Sequence, residues 1–310
     1  MMVVSVCLPL LCAGLFAVSA PSLSHKLPPA AATWLLSIGS LLAAVGSTVA
    51  LTVVGLTFVA QNRQLAQSGH WSEQTLRHAG TIWTPVAVLA VVAVMVLAAR
   101  TALAGWRRVA ALRQAHQLAA ALPAAGGELV VLDLSDRQAL AVPGRPGRIV
   151  LSTGLLRALD AGQRRAVLAH ERSHLRHHHH LHQSITRISA AANPLLHRLP
   201  AAVGLACERW ADEDAAQTCR RNTVADALTR AAADQTRSSF LAGGTVLAAA
   251  ETEVAVRIGA LRRPSQPPSP WHLAVLFSLL AATALATFAA AHDTEHLFEL
   301  AQSAYLHGSH

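Results

Sequence analysis

Four apolar stretches decide what this chain can become. Residues 3–20, 32–60, 85–104 and 272–291 hold no acidic or basic side chain apart from Arg100 and His272, and each has at least the roughly 17 helical residues that a bilayer core requires. A helix that is apolar all round has no water-facing side, so it must bury itself against lipid or against another helix. With 53% hydrophobic and 14% charged residues, an ordinary soluble globule is excluded.

The second stretch carries small residues at four-residue steps, Ser40 and Ala44, Ala43 and Ser47, Gly46 and Ala50, which allow helix backbones to approach closely in lipid. The first has a cleavage-like Val18-Ser19-Ala20, but no positive charge precedes it and Pro21 follows, so it is read as a retained span. Arginine gathers after the third span (Arg100, Arg107, Arg108, Arg113) and before the fourth (Arg257, Arg262, Arg263). Positive flanks stay in the cytoplasm. Lys26 is then inside, and residues 61–82, the amino terminus and the tail with Asp293, Glu295 and Glu299 are outside. The net charge of +8, with Lys26 the only lysine, is accounted for by this topology, and no direct nucleic-acid partner is expected.

Between spans three and four lies enough chain for one compact domain. A helix over 107–122 should open it, ended by Pro123 and Gly126-Gly127. The runs "ELVVLDL", "QALAVPG" and "RIVLSTG" read as three short strands, with Pro143 pushing the middle one to a sheet edge or strand end. Asp160 and Gln163 have the spacing of a capping box, predicting one helix over 161–188.

That helix carries His170-Glu171-Arg172-Ser173-His174, an H-E-x-x-H pattern. Two imidazoles four residues apart share a helix face and can reach one ion; Glu171, on the rim of that face, can meet a water there. Downstream, "ACERWADEDAA" places Glu208 and Asp212 on one helical face. Glu208 is the candidate third ligand, and Asp212 can accept a hydrogen bond from the far nitrogen of a ligating histidine. The bland alternative is a solvated acidic face paired with Arg209, Arg220 and Arg221.

The order of strands "QALAVPG" and "RIVLSTGLL", helix "AVLAHERSH" and then Glu208-x-x-x-Asp212 resembles the integral-membrane zinc metallopeptidases of the BlaR/MecR type, and is more distantly similar to the HtpX and CAAX-prenyl protease family. The resemblance implies a predominantly helical chain in which an α+β gluzincin-like zinc peptidase domain is inserted in a four-helix transmembrane anchor. It implies one Zn2+ per chain held by His170, His174 and Glu208, with Glu171 as general base and Asp212 as orienter. A peptide would add as a strand along a sheet edge, over residues 138–142. The expected layout is a membrane region at 1–106, a cytoplasmic peptidase domain at 107–263, a linker and fourth span at 264–291, and an extracytoplasmic tail at 292–310, in a multi-pass protein of a bacterial cell membrane. A beta-lactam-binding sensor is not expected, because its serine three residues before a lysine has no counterpart when Lys26 is the only lysine.

The expected activity is endopeptidase cleavage of a protein or peptide, in regulatory proteolysis of a partner such as a transcriptional repressor. The alternatives are membrane-protein quality control of the HtpX kind and a non-catalytic metal-binding scaffold. His177 could perturb or replace a ligand, but His177, His178, His179, His180 and His182 are read as a polar continuation of the helix, exposed or near the headgroups, Arg257 and His197 as candidates for a second oxyanion donor, Cys207 and Cys219 as free thiols, and His292-Asp293-Thr294-Glu295-His296 as an H-x-x-E-H decoy.

Overall fold

The computed structural model describes residues 2–79, 83–122, 127–240, 244–263 and 270–308, the backbone alone at 2–5, 79, 233–240, 244–251 and 308. Pro123 and Gly126, Gly243 and the proline-rich linker at 264–269 lie outside the described residues. Four helices are long and apolar enough to cross a membrane: α1 (Met2–Ser24), α2 (Pro29–Ala60), α5 (Thr84–Ala121) and α12 (Pro270–Gly308). The helix expected at 107–122 is the continuation of the third span, because nothing in α5 after Pro85 breaks a helix except the tolerated Gly105. Trp83 and Trp106, both exposed, sit near the two ends of its apolar part, separated by about 35 Å at 1.5 Å per residue, as interfacial aromatic anchors do.

Helix α2 is the hub. Its small residues Ser40, Ala43, Ala44, Gly46, Ser47 and Ala50 are all buried, as the four-residue spacing predicts. A Cβ at Gly39 would stand 2.1 Å from the Phe16 ring and 2.7 Å from Leu280, and one at Gly46 2.6 Å from Thr287. The pairs advance together along α12, so α2 and α12 run parallel; the contacts of Gly39 with Phe16 and Gly46 with Pro9 make α1 antiparallel. At the far end of α2, the short helices α3 (Arg63–Gly69) and α4 (Glu73–Ala79) fold back so that Ala60, Leu76 and Ala301 bury one another. The Trp71 indole N–H donates to the Ala60 carbonyl at 2.9 Å.

The three expected strands form one sheet: β1 (Leu129–Leu132), β2 (Ala139–Val142) and β3 (Arg148–Ser152) in the order β1-β3-β2. β1 is parallel to β3, and β2 is antiparallel to it with Ala139 opposite Leu151 and Ala141 opposite Ile149. β2 is therefore an edge strand, and Pro143 follows its last residue. Ser152 caps α6 (Thr153–Ala158) by accepting from the Leu155 N–H at 3.1 Å. In that first turn a Cβ on Gly154 would lie 1.9 Å from the Ser135 carbonyl oxygen. That wall is backbone and cannot swing aside, so Gly154→Ala should lower stability by about 1–3 kcal/mol. Unfolding of the detergent-solubilised variant by heat or denaturant checks this, and an unchanged midpoint would refute the close approach.

The capping box forms as expected: the Gln163 N–H donates to the Asp160 carboxylate at 2.9 Å and the Asp160 N–H to the Gln163 side chain at 3.1 Å, opening α7 (Ala161–Arg176). The helix does not continue to 188. It breaks at His177 and His178, the latter left-handed with φ 51°, and restarts as α8 (His179–Ala192). A non-glycine residue in that region costs about 1–2 kcal/mol, here offset by the buried contacts that the turn creates for His177 and His179. α8 then runs beside α2 in the same direction, with His182 against Ser37 at 3.1 Å and the Asn193 amide donating to Ser47 at 2.8 Å. After a 3-10 turn at Pro194–Leu196, α9 (Leu199–Thr218) returns. Leu196, Leu199, Val203 and Cys207 share a core with Phe16, Leu36 and Leu276, so the α8–α9 hairpin is wedged among the apolar helices. α10 (Arg221–Phe240) and α11 (Gly244–Arg262) close the other side, where Ala166, Ala215, Val224, Ala227 and Leu261 pack together.

Candidate metal centre

Helix α7 presents His170 and His174 one turn apart, and α9 brings Glu208 across to them. The His170 and His174 Nε2 atoms are 3.1 Å apart; each lies 3.4 Å from a Glu208 carboxylate oxygen. Among the described residues these three form the group able to hold an ion. A tetrahedral zinc with bonds of about 2.0–2.1 Å keeps its ligands about 3.3 Å apart, which matches this triangle. Two imidazoles and one carboxylate are also the nitrogen and oxygen donors that zinc takes in catalytic sites.

The far nitrogens are fixed as well. His170 Nδ1 is 3.0 Å from an Asp212 oxygen, so its N–H points away from the ion position and its Nε2 lone pair points toward it. His174 Nδ1 is 2.9 Å from His179 Nδ1. With Nε2 of His174 free to ligate, its Nδ1–H donates and His179 accepts, leaving the proton of His179 on Nε2. That nitrogen is buried without a hydrogen-bond partner, and His179 itself is fully buried.

Arg257, from α11, completes the cluster. Its Nε and Nη2 donate to the two Asp212 oxygens at 2.8 Å each, and its Nη1 lies 3.0 Å from Glu208. Burial works against all these charges, yet the hydrogen bond from His170 and the charge of Arg257 hold Glu208 well below the usual carboxylate range. Asp212 is lowered in the same way: burial opposes it, and the Arg257 and His170 hydrogen bonds prevail. Burial pushes His174 down to about 4 and His179 to about 3, keeping both neutral at pH 7. His170 departs in the other direction: burial lowers it, but Asp212 and Glu208 lift it to about 10. In the metal-free cluster its proton is the positive charge those carboxylates draw in.

Glu171 is buried at the edge of β2, its pKa raised by desolvation and by Glu208 against the opposing charge of His170 and a backbone hydrogen bond from Ala141. It shares a cavity of about 390 Å³ with His170, His174 and Glu208; Ala139, Leu140, Ala141 and Pro143 form one wall, and Leu155, Val167, Val224, Leu228 and Val254 form an apolar one. The Ser152 N–H donates to the Gln138 carbonyl at 3.0 Å, so by antiparallel alternation residues 138, 140 and 142 face β3 with their backbone groups. The N–H and C=O groups of Ala139 and Ala141 therefore turn toward the cavity.

The structure thus gathers all five sequence-predicted residues, His170, Glu171, His174, Glu208 and Asp212, in one place. The reading of the further histidines needs correction. His179 and His182 are buried, not exposed, and His177 lies 2.8 Å from Asp214, stacked on Trp210 at 4.2 Å. The helix break at His177 and His178 turns them inward. Arg257 has its guanidinium committed to two carboxylates, so it serves as their counter-charge and not as an oxyanion donor. His197 is exposed, against the Pro194 carbonyl and outside the cavity. His292 and His296 stand exposed on α12 with no third ligand among the described residues. All four cysteines are free, Cys207 buried.

Residues 105–233 match the model of Peptidase family M48, whose members are zinc-dependent peptidases. The matched segment takes in α7 and α9 with all five of these residues, and ends before Arg257. No curated protein and no solved structure matches the chain.

Proposed function

We propose that this chain is a membrane-embedded zinc metalloendopeptidase in which His170, His174 and Glu208 hold one Zn2+ and Glu171 is the general base. The observation that carries the reading is the convergence, in one cavity beside an open strand edge, of a zinc-sized donor triangle with a buried carboxylate that is not part of it. When bound, zinc supplies Lewis acidity, lowering the pKa of water toward about 7 and polarising a carbonyl.

The residues of the chain do the rest. Glu171, made more basic by burial, takes a proton from the attacking water and returns it to the departing amine. Asp212 and His179 keep the two imidazoles in the tautomer that leaves Nε2 free. The outward N–H and C=O groups of Ala139 and the C=O of Ala141 can pair with an extended peptide, fixing the scissile bond over Glu171. The apolar wall favours a substrate with an aliphatic or aromatic side chain there. In the orientation set by arginine placement the site opens to the cytoplasm, where regulatory cleavage of a protein such as a repressor is the activity favoured. A scaffold would have no use for a base poised beside the donor triangle.

Purified full-length protein should hold one zinc per chain, and 1,10-phenanthroline should stop cleavage of an unfolded protein such as casein until zinc is returned. Glu208→Ala should weaken zinc by more than the about 10–100-fold that outer residues contribute. Full zinc occupancy in that variant, measured by elemental mass spectrometry, would overturn the ligand assignment.

A further inference from the structure

Two of the three donors are braced from the same place, and that place is a transmembrane helix. On one arm, His174 leans on His179, and three residues later on α8 His182 is buried with its Nδ1 3.1 Å from the Ser37 hydroxyl and its ring edge-on to Trp34 at 4.5 Å. The Ser37 proton is already donated to the Thr33 carbonyl at 2.7 Å, so Ser37 accepts and the His182 N–H donates. On the other arm, Cys207, adjacent to Glu208 on α9, is buried in one core with Ala32, Leu35 and Leu36 of α2. Thr33 and Ser37 are one turn apart on the same face of α2, and both are buried.

We propose that the first turns of transmembrane helix α2 are part of the frame of the metal centre, with Ser37 acting on His174 through His182 and His179, and the buried face of Ala32, Leu35 and Leu36 holding α9 at Cys207, next to Glu208. Ser37 is a positioning residue: it does not touch the donor triangle. The physical basis is that a buried N–H deprived of its acceptor must move or remain unsatisfied, and a helix transmits such a shift along its axis with little loss over a single turn. α8 and α9 both pack on the first turns of α2, so a tilt or slide of α2 reaches two ligands at once. The inference rests on the zinc reading above.

A matched control exists in the same hairpin. Ser47 donates to the Ala43 carbonyl at 2.8 Å and accepts from Asn193 at 2.8 Å, the same chemistry ten residues farther along α2, away from the triangle. Full-length protein in lipid nanodiscs would be titrated with zinc against a chromophoric chelator, and kcat and KM measured on casein-derived peptides. Ser37→Ala should weaken zinc about 10-fold, the lower end for residues that orient ligands, and reduce kcat with KM nearly unchanged. Ser37→Thr, which keeps the acceptor, should restore both. Ser47→Ala should shift the melting temperature by as much as Ser37→Ala yet leave zinc affinity at the wild-type value, and His182→Phe, which removes the N–H that Ser37 accepts, tests the same link should Ser37→Ala fail to accumulate. Wild-type zinc affinity in both Ser37→Ala and His182→Phe, or an equal loss in Ser47→Ala, would overturn the inference. A wild-type protein that binds no zinc would instead overturn the metal reading, and this inference with it.

Discussion

Glu171→Gln is expected to retain its zinc and its fold while peptide hydrolysis falls by about 10²–10⁴-fold, the range that a positioned acid–base group contributes. The substitution is isosteric, and the amide oxygen can still accept from the backbone of Ala141, which bonds the carboxylate in the native site. What the amide lacks is the ability to take a proton from water. Glu171 is not one of the three grouped donors, so the metal has no reason to leave. Elemental analysis beside cleavage kinetics separates the outcomes: zinc lost together with activity would make Glu171 a ligand, cleavage undiminished would remove Glu171 as the base, and unaltered function in cells despite lost cleavage would return the chain to the scaffold reading. In cells, comparison of protein termini between native and Glu171→Gln strains would identify the substrates, and a single cleaved regulator or a broad set of damaged membrane proteins would distinguish the two physiological roles.

The elements legible in the sequence were those specified by local chemistry. Helix α7 announces its start through Asp160 and Gln163, and its ligand spacing is a property of 3.6 residues per turn. Glu208 and Asp212 were legible for the same reason. The sheet was readable because short valine- and leucine-rich runs between turn residues have few other uses, and the edge position of β2 followed from Pro143. What could not be read was set by contacts distant along the chain. His178 is left-handed without being glycine, so no residue marks the break that folds His179 under His174. Arg257 stands 45 residues beyond Asp212, among arginines that the sequence reading assigns to span flanks. The hairpin of α8 and α9 is too short and too polar at His182, Arg187 and Asn193 to register as a span, yet α8 packs between α2 and α5 because His182 and Asn193 meet Ser37 and Ser47 of α2.

The arrangement around Arg257 leads to a stability prediction of comparable size. Glu208 and Asp212 are both charged and largely buried, and the guanidinium touches both. Removing one member of a buried ion cluster strands the others in low dielectric, at a cost of about 3–5 kcal/mol. Arg257→Leu should therefore lower the unfolding free energy by that amount when zinc is kept away with a chelator. A divalent cation at the triangle supplies positive charge to Glu208, and through His170 to Asp212, so the deficit should shrink as free zinc rises above its dissociation constant, following the logarithmic dependence of ligand-linked stability. Changing Asp212 to Asn as well removes a stranded charge, so the double variant should be more stable in chelator than Arg257→Leu alone. Melting curves of the three proteins, each with chelator and with saturating zinc, carry the test. If Arg257→Leu melts with the wild type in chelator, the guanidinium is not the counter-charge of these carboxylates. If it melts low but zinc gives it no more stabilisation than the wild type gains, the cation and the arginine do not share the same electrostatic task.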